Sequence, residues 1–293
     1  MNDSLKSAMD ALLTRDFAAC MFDYDGTLIE RGYRMPLPPY MPELLQNTSR
    51  KAYMAICTAR PFPAAFKHAH EILGEHFDDL KTKWVWICEN GGAGYAYDAD
   101  SGDFKEFYRI GWPEKTMPYS EFQEIVKKHF HEHVQDIDVH DSVIILRPKN
   151  LSLLTVEEII SSCATLEQMG LDLIQHYHLE DEIRLANSSL GVIFHGVDAD
   201  KDRGIFEFGN YLQKYKNADM FQPFREIICF GDQPVPHGND EHFLSGRYGT
   251  PVNVGEVLIP RENLISVIDE KGERLIGPRA TSYLLRQLRF TSL

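Results

Sequence analysis

Short, uninterrupted apolar runs, each broken off by a polar or glycine-rich turn, constrain the fold of this sequence more than any other feature. FAACMF (17–22) ends at Asp23, and AYMAIC (52–57) ends at Thr58. WVWIC (84–88) ends at Glu89-Asn90-Gly91-Gly92, and EIICF (226–230) at Gly231-Asp232. PVNVG (251–255) is a fifth such run. Helical patterns lie between them, for example from Pro61 to Leu73. A strand that is apolar on both faces must be covered on both faces. That is the condition of a central strand in a parallel sheet flanked by crossover helices. The fold class expected is therefore α/β, with a doubly wound, mainly parallel, Rossmann-like core sheet. Ligands of such sheets bind beyond the carboxyl ends of the strands, and the polar residues just named stand there.

The middle of the chain has another texture. Residues 94–110 alternate around Asp98-Ala99-Asp100-Ser101-Gly102 and predict a hairpin. Ser120-Glu121-Phe122-Gln123 and Thr155-Val156-Glu157-Glu158 read as capping boxes that open two helices. The first turns Phe122, Ile125, Val126 and Phe130 inward. The second turns Val156, Ile159, Ile160 and Cys163 inward and stops at Gly170. SVIILR (142–147), LDLIQHYH (171–178) and EIRLA (182–186) predict strands. Strands grouped with two helices imply an α+β domain inserted in the core. The expected division is a core of 1–92 and 195–293 and an insert of 93–194.

Composition narrows the partners. With 43% hydrophobic and 25% charged residues, the chain can bury a full core. A formal net charge of −14 opposes binding to nucleic acid or to anionic membranes. No run reaches the length of a membrane span. The first residues lack the apolar segment of a signal peptide, and Leu5, Met9, Leu12 and Leu13 fall at helical spacing instead. The five cysteines form no CxxC pair and read as reduced, buried thiols. A cytoplasmic location is the expectation. His129, His131 and His133 invite a metal reading, but on a helix His131 points away from the other two. The Asp98–Gly102 run lacks the closing glutamate of a calcium loop and reads better as the hairpin turn.

The chemistry is concentrated after the first strand, in Asp23-Tyr24-Asp25-Gly26-Thr27. A carboxylate can attack phosphorus to give an acyl phosphate, which water then hydrolyses. Asp23 is placed for the attack. Asp25, two residues on, can protonate the leaving oxygen and then take a proton from the attacking water. Gly26 permits the tight turn. Two carboxylates repel a phosphate, so a divalent cation is required. Mg²⁺ suits a site with oxygen ligands, few of them from the protein.

These residues resemble the motifs of the haloacid dehalogenase superfamily of phosphatases, in the branch with a C2-type cap. Motif one is Asp23 to Thr27, motif two is Thr58, motif three is Lys201 in Asp200-Lys201-Asp202-Arg203-Gly204, and motif four is Gly231-Asp232 with Gly238-Asn239-Asp240. The resemblance implies catalytic roles for Asp23, Asp25, Thr58 and Lys201. It implies Mg²⁺ held by Asp23, Asp25, Asp232 and Asp240, the last through water or by steadying the ligands, with Asn239 supporting Lys201. Arg203 rivals Lys201, because Gly204 stands three residues after the lysine rather than next to it. Motif four carries the extra residues Gln233 to His237. The Glu89–Gly92 turn resembles a signature of Cof-like sugar phosphatases and phosphomannomutases. Expected substrate contacts are Gly26, Thr27, Arg60, Asn90, Arg184 and Asn239. The expected partner is a small phosphorylated metabolite, foremost a sugar phosphate, with a homodimer left open. Two other readings stand beside hydrolysis. One is a phosphomutase with a second phosphate site built from Arg147, Lys149 and Arg184. The other is a catalytically idle sugar-phosphate sensor. His176 and His178 are further polar candidates in the insert.

Overall fold

The structure is a computed structural model and describes residues 2–291. The chain begins with α1 (Asn2–Leu13), β1 (Asp16–Phe17), β2 (Ala19–Phe22), α2 (Met41–Ser49), β3 (Tyr53–Cys57) and α3 (Phe62–Leu73). The single turn α4 (Phe77–Leu80), β4 (Trp84–Cys88) and the hairpin β5 (Ala93–Asp98) and β6 (Asp103–Arg109) follow. Next come α5 (Tyr119–Phe130), β7 (Val134–Val139), β8 (Val143–Pro148), α6 (Val156–His176), β9 (Ile183–Asn187) and β10 (Val192–Gly196). The chain returns through α7 (Lys201–Lys216), β11 (Ile227–Gly231), β12 (Thr250–Asn253), β13 (Ile265–Ser266), α8 (Gly277–Leu285) and β14 (Arg289–Phe290).

The larger sheet has eight strands in the order β13-β12-β11-β2-β3-β4-β5-β6. The first six pair in parallel, and the β5–β6 hairpin adds an antiparallel edge. Alternate strand residues serve opposite faces. Cys20, Phe22, Met54 and Trp86 pack under α1, α2, α3 and α8, while Met21, Ala55, Val85 and Ile87 pack under α7. This two-sided burial is why the strands read as unbroken apolar runs. Among the described residues, no helix is long and apolar enough to cross a membrane.

The smaller sheet is antiparallel, in the order β7-β8-β10-β9. One face carries α5 and α6 over a core that includes Phe122, Phe130, Ile144, Leu146, Cys163 and Phe194. The other face presents Val143, Ile145, Ala186 and Ile193 toward Ala59 of the larger unit. Period-two alternation along β8 and β10 thus supplies both a domain core and a roof over the carboxyl ends of the large sheet.

Several expectations are corrected. The 94–110 hairpin forms, but it extends the large sheet instead of belonging to the insert that was expected to begin at residue 93. Strand β10 runs to Gly196 within the small sheet, past the expected limit of 194. Residues 171–176, expected as part of a strand, continue α6, with His176 its last residue. Gly170 does not stop the helix. A Cβ there would collide with Leu185 and crowd Phe194, so glycine lets α6 lie close to the sheet. The Thr155 capping box is present in full, with Thr155 accepting from the Glu158 amide and Glu158 from the Thr155 amide. The Ser120 box is absent. Pro118 is the N-cap, and its carbonyl accepts from the Glu121 and Phe122 amides, so α5 starts at Tyr119.

Candidate active site

Asp23, Thr58 and Asp232 follow β2, β3 and β11, neighbours in the large sheet. Ladder bonds carry on past the strand ends and fix the first two. The Asp23 amide donates to Phe230 O at 2.8 Å, and the Thr58 amide to Ile87 O at 2.9 Å. The turn after Asp23 closes on Tyr24 O, which accepts from the Leu28 amide at 3.0 Å. Gly26 adopts φ +79°, and a Cβ there would strike the Asp232 carboxylate. Only glycine lets the Asp23 loop and the Asp232 loop approach this closely.

Beneath that approach lies a buried acidic centre. Asp23 is 5% exposed, and Asp232 and Asp240 are also buried; each offers a carboxylate oxygen within 4.8 Å of the others. Lys201, with no exposed surface, donates to Asp23 Oδ1 at 2.6 Å and to Asp240 Oδ1 at 2.7 Å. Asp240 Oδ2 accepts the Asp232 and Gln233 amides at 2.8 and 3.1 Å. Asp240 therefore spends both oxygens holding the lysine and the next loop. Arg31, which the sequence did not single out, pairs with Asp232 Oδ2.

The electrostatics follow from burial. Burial lifts the Asp23 carboxyl well above the usual range, Lys201 only partly offsets this, and Asp240 and Asp232 add to it. Burial also pushes Asp232 up, to about 7, against the pull of Arg31. For Lys201, burial opposes the ammonium, but Asp23 and Asp240 outweigh it and hold the proton on. Lys201, not Arg203, reaches the carboxylates. Arg203 is 46% exposed on its side chain and pairs with Glu207.

Above the acidic centre is a cleft of about 980 Å³ between the two sheets. Asp23, Asp25, Thr58, Arg60 and Asn239 line it. Arg60 Nη2 pairs with Asp25 at 2.8 Å, and burial and Asp25 have opposite effects on the guanidinium, whose pKa ends raised. Tyr24 Oη contacts His68 Nδ1 at 2.8 Å, and His68 contacts Glu71 at 3.0 Å, all three lining the same cleft. The sequence missed this trio because Tyr24 sits inside a motif that hides it and His68 and Glu71 lie on an ordinary helix.

Other expected contacts lie elsewhere. Gly26 and Thr27 do not line the cleft; Thr27 is buried, and its carbonyl accepts from Thr281 Oγ1 at 2.8 Å. Asn90 is fully buried in a left-handed turn with φ 54°, its amide donating to Thr58 O at 3.0 Å, so it braces the Thr58 loop. Arg184 pairs with Asp200 at 3.0 Å and lines a smaller cavity behind the site. Arg147 lines the cleft but pairs with Asp138 at 2.8 Å, and Lys149 is exposed outside it. The second phosphate site required of a mutase is thus not assembled from these three. Asn239 does not bond Lys201, whose ammonium bonds Asp23 and Asp240. The extra residues of motif four dock on the small domain. Gln233 Nε2 donates to Ser188 O at 2.8 Å, and the Asn187 amide to His237 O at 2.7 Å.

The donor set fits an oxygen-seeking dication. It is all carboxylate, buried and short of positive charge, and Asp23 and Asp232 each keep one oxygen clear of the bonds described. Asp25 does not join this group, and its carboxylate faces Arg60 instead. Among the described residues, His129, His131 and His133 form no metal-ligand group.

No protein-family model and no curated protein sequence matches the chain. Solved structures do. An IMP-bound mutant of Plasmodium falciparum IMP-nucleotidase superposes with a TM-score of 0.61 at 14% identity, over 97% of this chain and 69% of that one. The C-terminal domain of C. albicans trehalose-6-phosphate phosphatase gives 0.61 at 14% identity, over 96% and 95%. A trehalose-6-phosphate phosphatase related protein gives 0.52 at 12% identity, over 92% and 96%. At such identities the likeness is one of fold: the chain shares the α/β fold of these solved structures.

Proposed function

We propose that the protein is a Mg²⁺-dependent phosphohydrolase that cleaves a small phosphate monoester through an aspartyl phosphate on Asp23. The observation that carries this reading is the buried Asp23 carboxylate, held by Lys201 at 2.6 Å and open to the cleft beside Asp25. In the first step an Asp23 oxygen forms a bond to phosphorus as the ester P–O bond breaks, and Asp25 gives its proton to the departing alcohol. In the second, Asp25 takes a proton from water, the water oxygen bonds to phosphorus, and the acyl phosphate releases inorganic phosphate and Asp23. Lys201 holds Asp23 in place and offsets charge on the phosphoryl group. Thr58 lines the cleft wall, which supports a role as donor to a phosphoryl oxygen. Asp23 and Asp232 would hold Mg²⁺ directly with Asp240 steadying them, and the ion would supply charge neutralisation between carboxylates and phosphate.

Arg60 has a part in this reading. Its pairing with Asp25 supports a role as the cation that meets the incoming phosphate and frees Asp25. As for the substrate, the sequence points to a sugar phosphate, while the similar structures are an IMP-bound nucleotidase and a trehalose-6-phosphate phosphatase domain. The test of the reaction is trapping. Asp25→Asn keeps the nucleophile and loses the base that activates water. Incubated with p-nitrophenyl phosphate and Mg²⁺, it should accumulate phosphate on Asp23, detected by mass spectrometry of peptides, with turnover reduced by roughly 10²–10⁴-fold. Phosphate on a Ser, His or Cys would overturn the assignment.

A further inference from the structure

Gln233, the first of the extra residues in motif four, belongs to two assemblies at once. Its main chain is part of the acidic centre. The Gln233 amide donates to Asp240 Oδ2 at 3.1 Å, and Gln233 O accepts from the Asp240 amide at 3.2 Å. Its side chain, on a residue only 9% exposed, belongs to the small domain. Nε2 donates to Ser188 O at 2.8 Å, and Oε1 accepts from Ser189 Oγ at 3.2 Å. Ser188 O can only accept, so the orientation of the side-chain amide is fixed. A parallel bridge between Asn187 and Gly238 continues the contact. The Asn187 amide donates to His237 O at 2.7 Å, and the Asn239 amide to Asn187 O at 3.0 Å. Pro234 and Pro236 fix φ within the insert and stiffen it. Ser189 and His237, one on each side, hold φ at 57° and 58°, a conformation that residues other than glycine keep where their surroundings enforce it.

The turn that Gln233 holds reaches the cleft. Ser188, Leu190 and Gly191 line it together with Asp23 and Asp25. The alcohol of a phosphate ester bound at Asp23 extends into this volume. The small domain is fastened elsewhere too. The Ser142 amide donates to the Glu89 carboxylate at 2.9 Å, and Arg184 pairs with Asp200 at 3.0 Å. Those ties hold the domain as a whole, whereas Gln233 joins its cleft-facing turn to the loop that carries Asp232 and Asp240. We propose that Gln233 is a positioning residue for the substrate: it sets the turn of residues 188–191 against the acidic centre and thereby governs how tightly the leaving alcohol is held. Bond breaking stays with Asp23 and Asp25. The proposal rests on the reading of Asp23 as the phosphoryl acceptor and deepens it, since a binding wall displaced by about 1 Å no longer serves the reacting geometry. It also gives the extra residues of motif four a function, because they carry the chain from Gln233 to the Asn187–Gly238 bridge.

Two measurements test it. Hydrogen exchange reads the turn itself. In Gln233→Ala the amides of residues 187–191 should exchange at least about fivefold faster, while those of residues 143–147, next to the Glu89 tie, keep the wild-type rate. Gln233→Met, which keeps the length and bulk of the side chain but neither bond, should match Gln233→Ala. Ser189→Ala deletes one bond from the other side, should show a smaller change of the same kind, and serves if the Gln233 variants do not fold. The second measurement is calorimetric binding in the Asp23→Asn background with Mg²⁺, which needs no turnover. Of trehalose 6-phosphate, glucose 6-phosphate and IMP, the ester bound tightest should weaken at least about fivefold on adding Gln233→Ala, and inorganic phosphate, which has no alcohol, by less than about twofold. With Asp23 intact, KM for that ester should rise by the same factor while kcat changes by less than about twofold. Faster exchange with unchanged ester binding, equal weakening of ester and inorganic phosphate, or wild-type behaviour of Gln233→Met overturns the assignment. If ester binding weakens selectively yet the wild type hydrolyses no ester, p-nitrophenyl phosphate included, the positioning role stands and the phosphatase reading falls.

Discussion

A lysine with no exposed surface, set between two aspartates, is a residue whose loss can be forecast from electrostatics alone. Lys201→Met would leave Asp23 and Asp240 buried and facing each other, and removing one member of a buried ion pair costs about 3–5 kcal/mol. Urea unfolding in metal-free buffer should show a loss of that order. Arg203→Ala, which removes an exposed guanidinium one helical turn from Glu207, should shift stability by less than about 0.5 kcal/mol. Comparable losses for both would sink the role given to Lys201. Asp23, Thr58 and Asp232 were legible in the sequence because each is the polar residue met where an apolar strand ends, whereas Asp240, in a loop, was reached only through the resemblance. The Arg31–Asp232 pair was not. Its members are 201 positions apart, and nothing in a loop arginine announces its partner. Arg184 was misread for a related reason. Strand alternation tells which face a side chain leaves from, but not that Asp200 waits beside it.

At the scale of elements, the two capping boxes make an internal comparison. Thr155 and Glu158 exchange bonds with each other's amides, whereas Pro118 displaces Ser120 from the cap of its helix. Thr155→Ala should therefore lower stability by about 1 kcal/mol, the usual cost of a lost N-cap, and Ser120→Ala should leave it nearly unchanged. Chemical denaturation of both variants decides the matter, and an equal effect would mean that neither cap is specific. The same contrast explains what could be read beforehand. Helix existence followed from apolar periodicity in both cases. The start of α5 did not, because a proline just upstream fixes its own φ and offers its carbonyl to the next turn. The end of α6 failed because Gly170 reads as a stop, while in three dimensions it is where the helix lies against Leu185 and Phe194 with no room for a Cβ. The hairpin was legible as a hairpin, but its allegiance to the large sheet depends on pairing with β4, a contact that local alternation cannot reveal.

At the scale of the whole molecule, the dominant tension is charge. The chain carries a net −14, and three of its carboxylates converge in the interior against two buried or half-buried cations, Lys201 and Arg31. Burial raises Asp232 to about 7, against about 3.9 in an unfolded chain, and moves Asp23 in the same direction. The folded protein therefore holds protons that the unfolded chain has already released. The stability these groups contribute is present in full below the unfolded value and is lost as pH rises through the folded one. In EDTA, the melting temperature should fall as pH goes from about 5.5 to about 8, and Asp232→Asn, which cannot titrate, should flatten that decline. If Mg²⁺ occupies the acidic centre as proposed, it binds the folded form and the deprotonated carboxylates, and the gain in melting temperature on adding it should be small at the acid end and grow toward pH 8. Differential scanning calorimetry across that range, with and without Mg²⁺, reads both effects. A flat profile in EDTA, together with a Mg²⁺ gain that does not change with pH, would mean that the acidic centre is not where the cation binds.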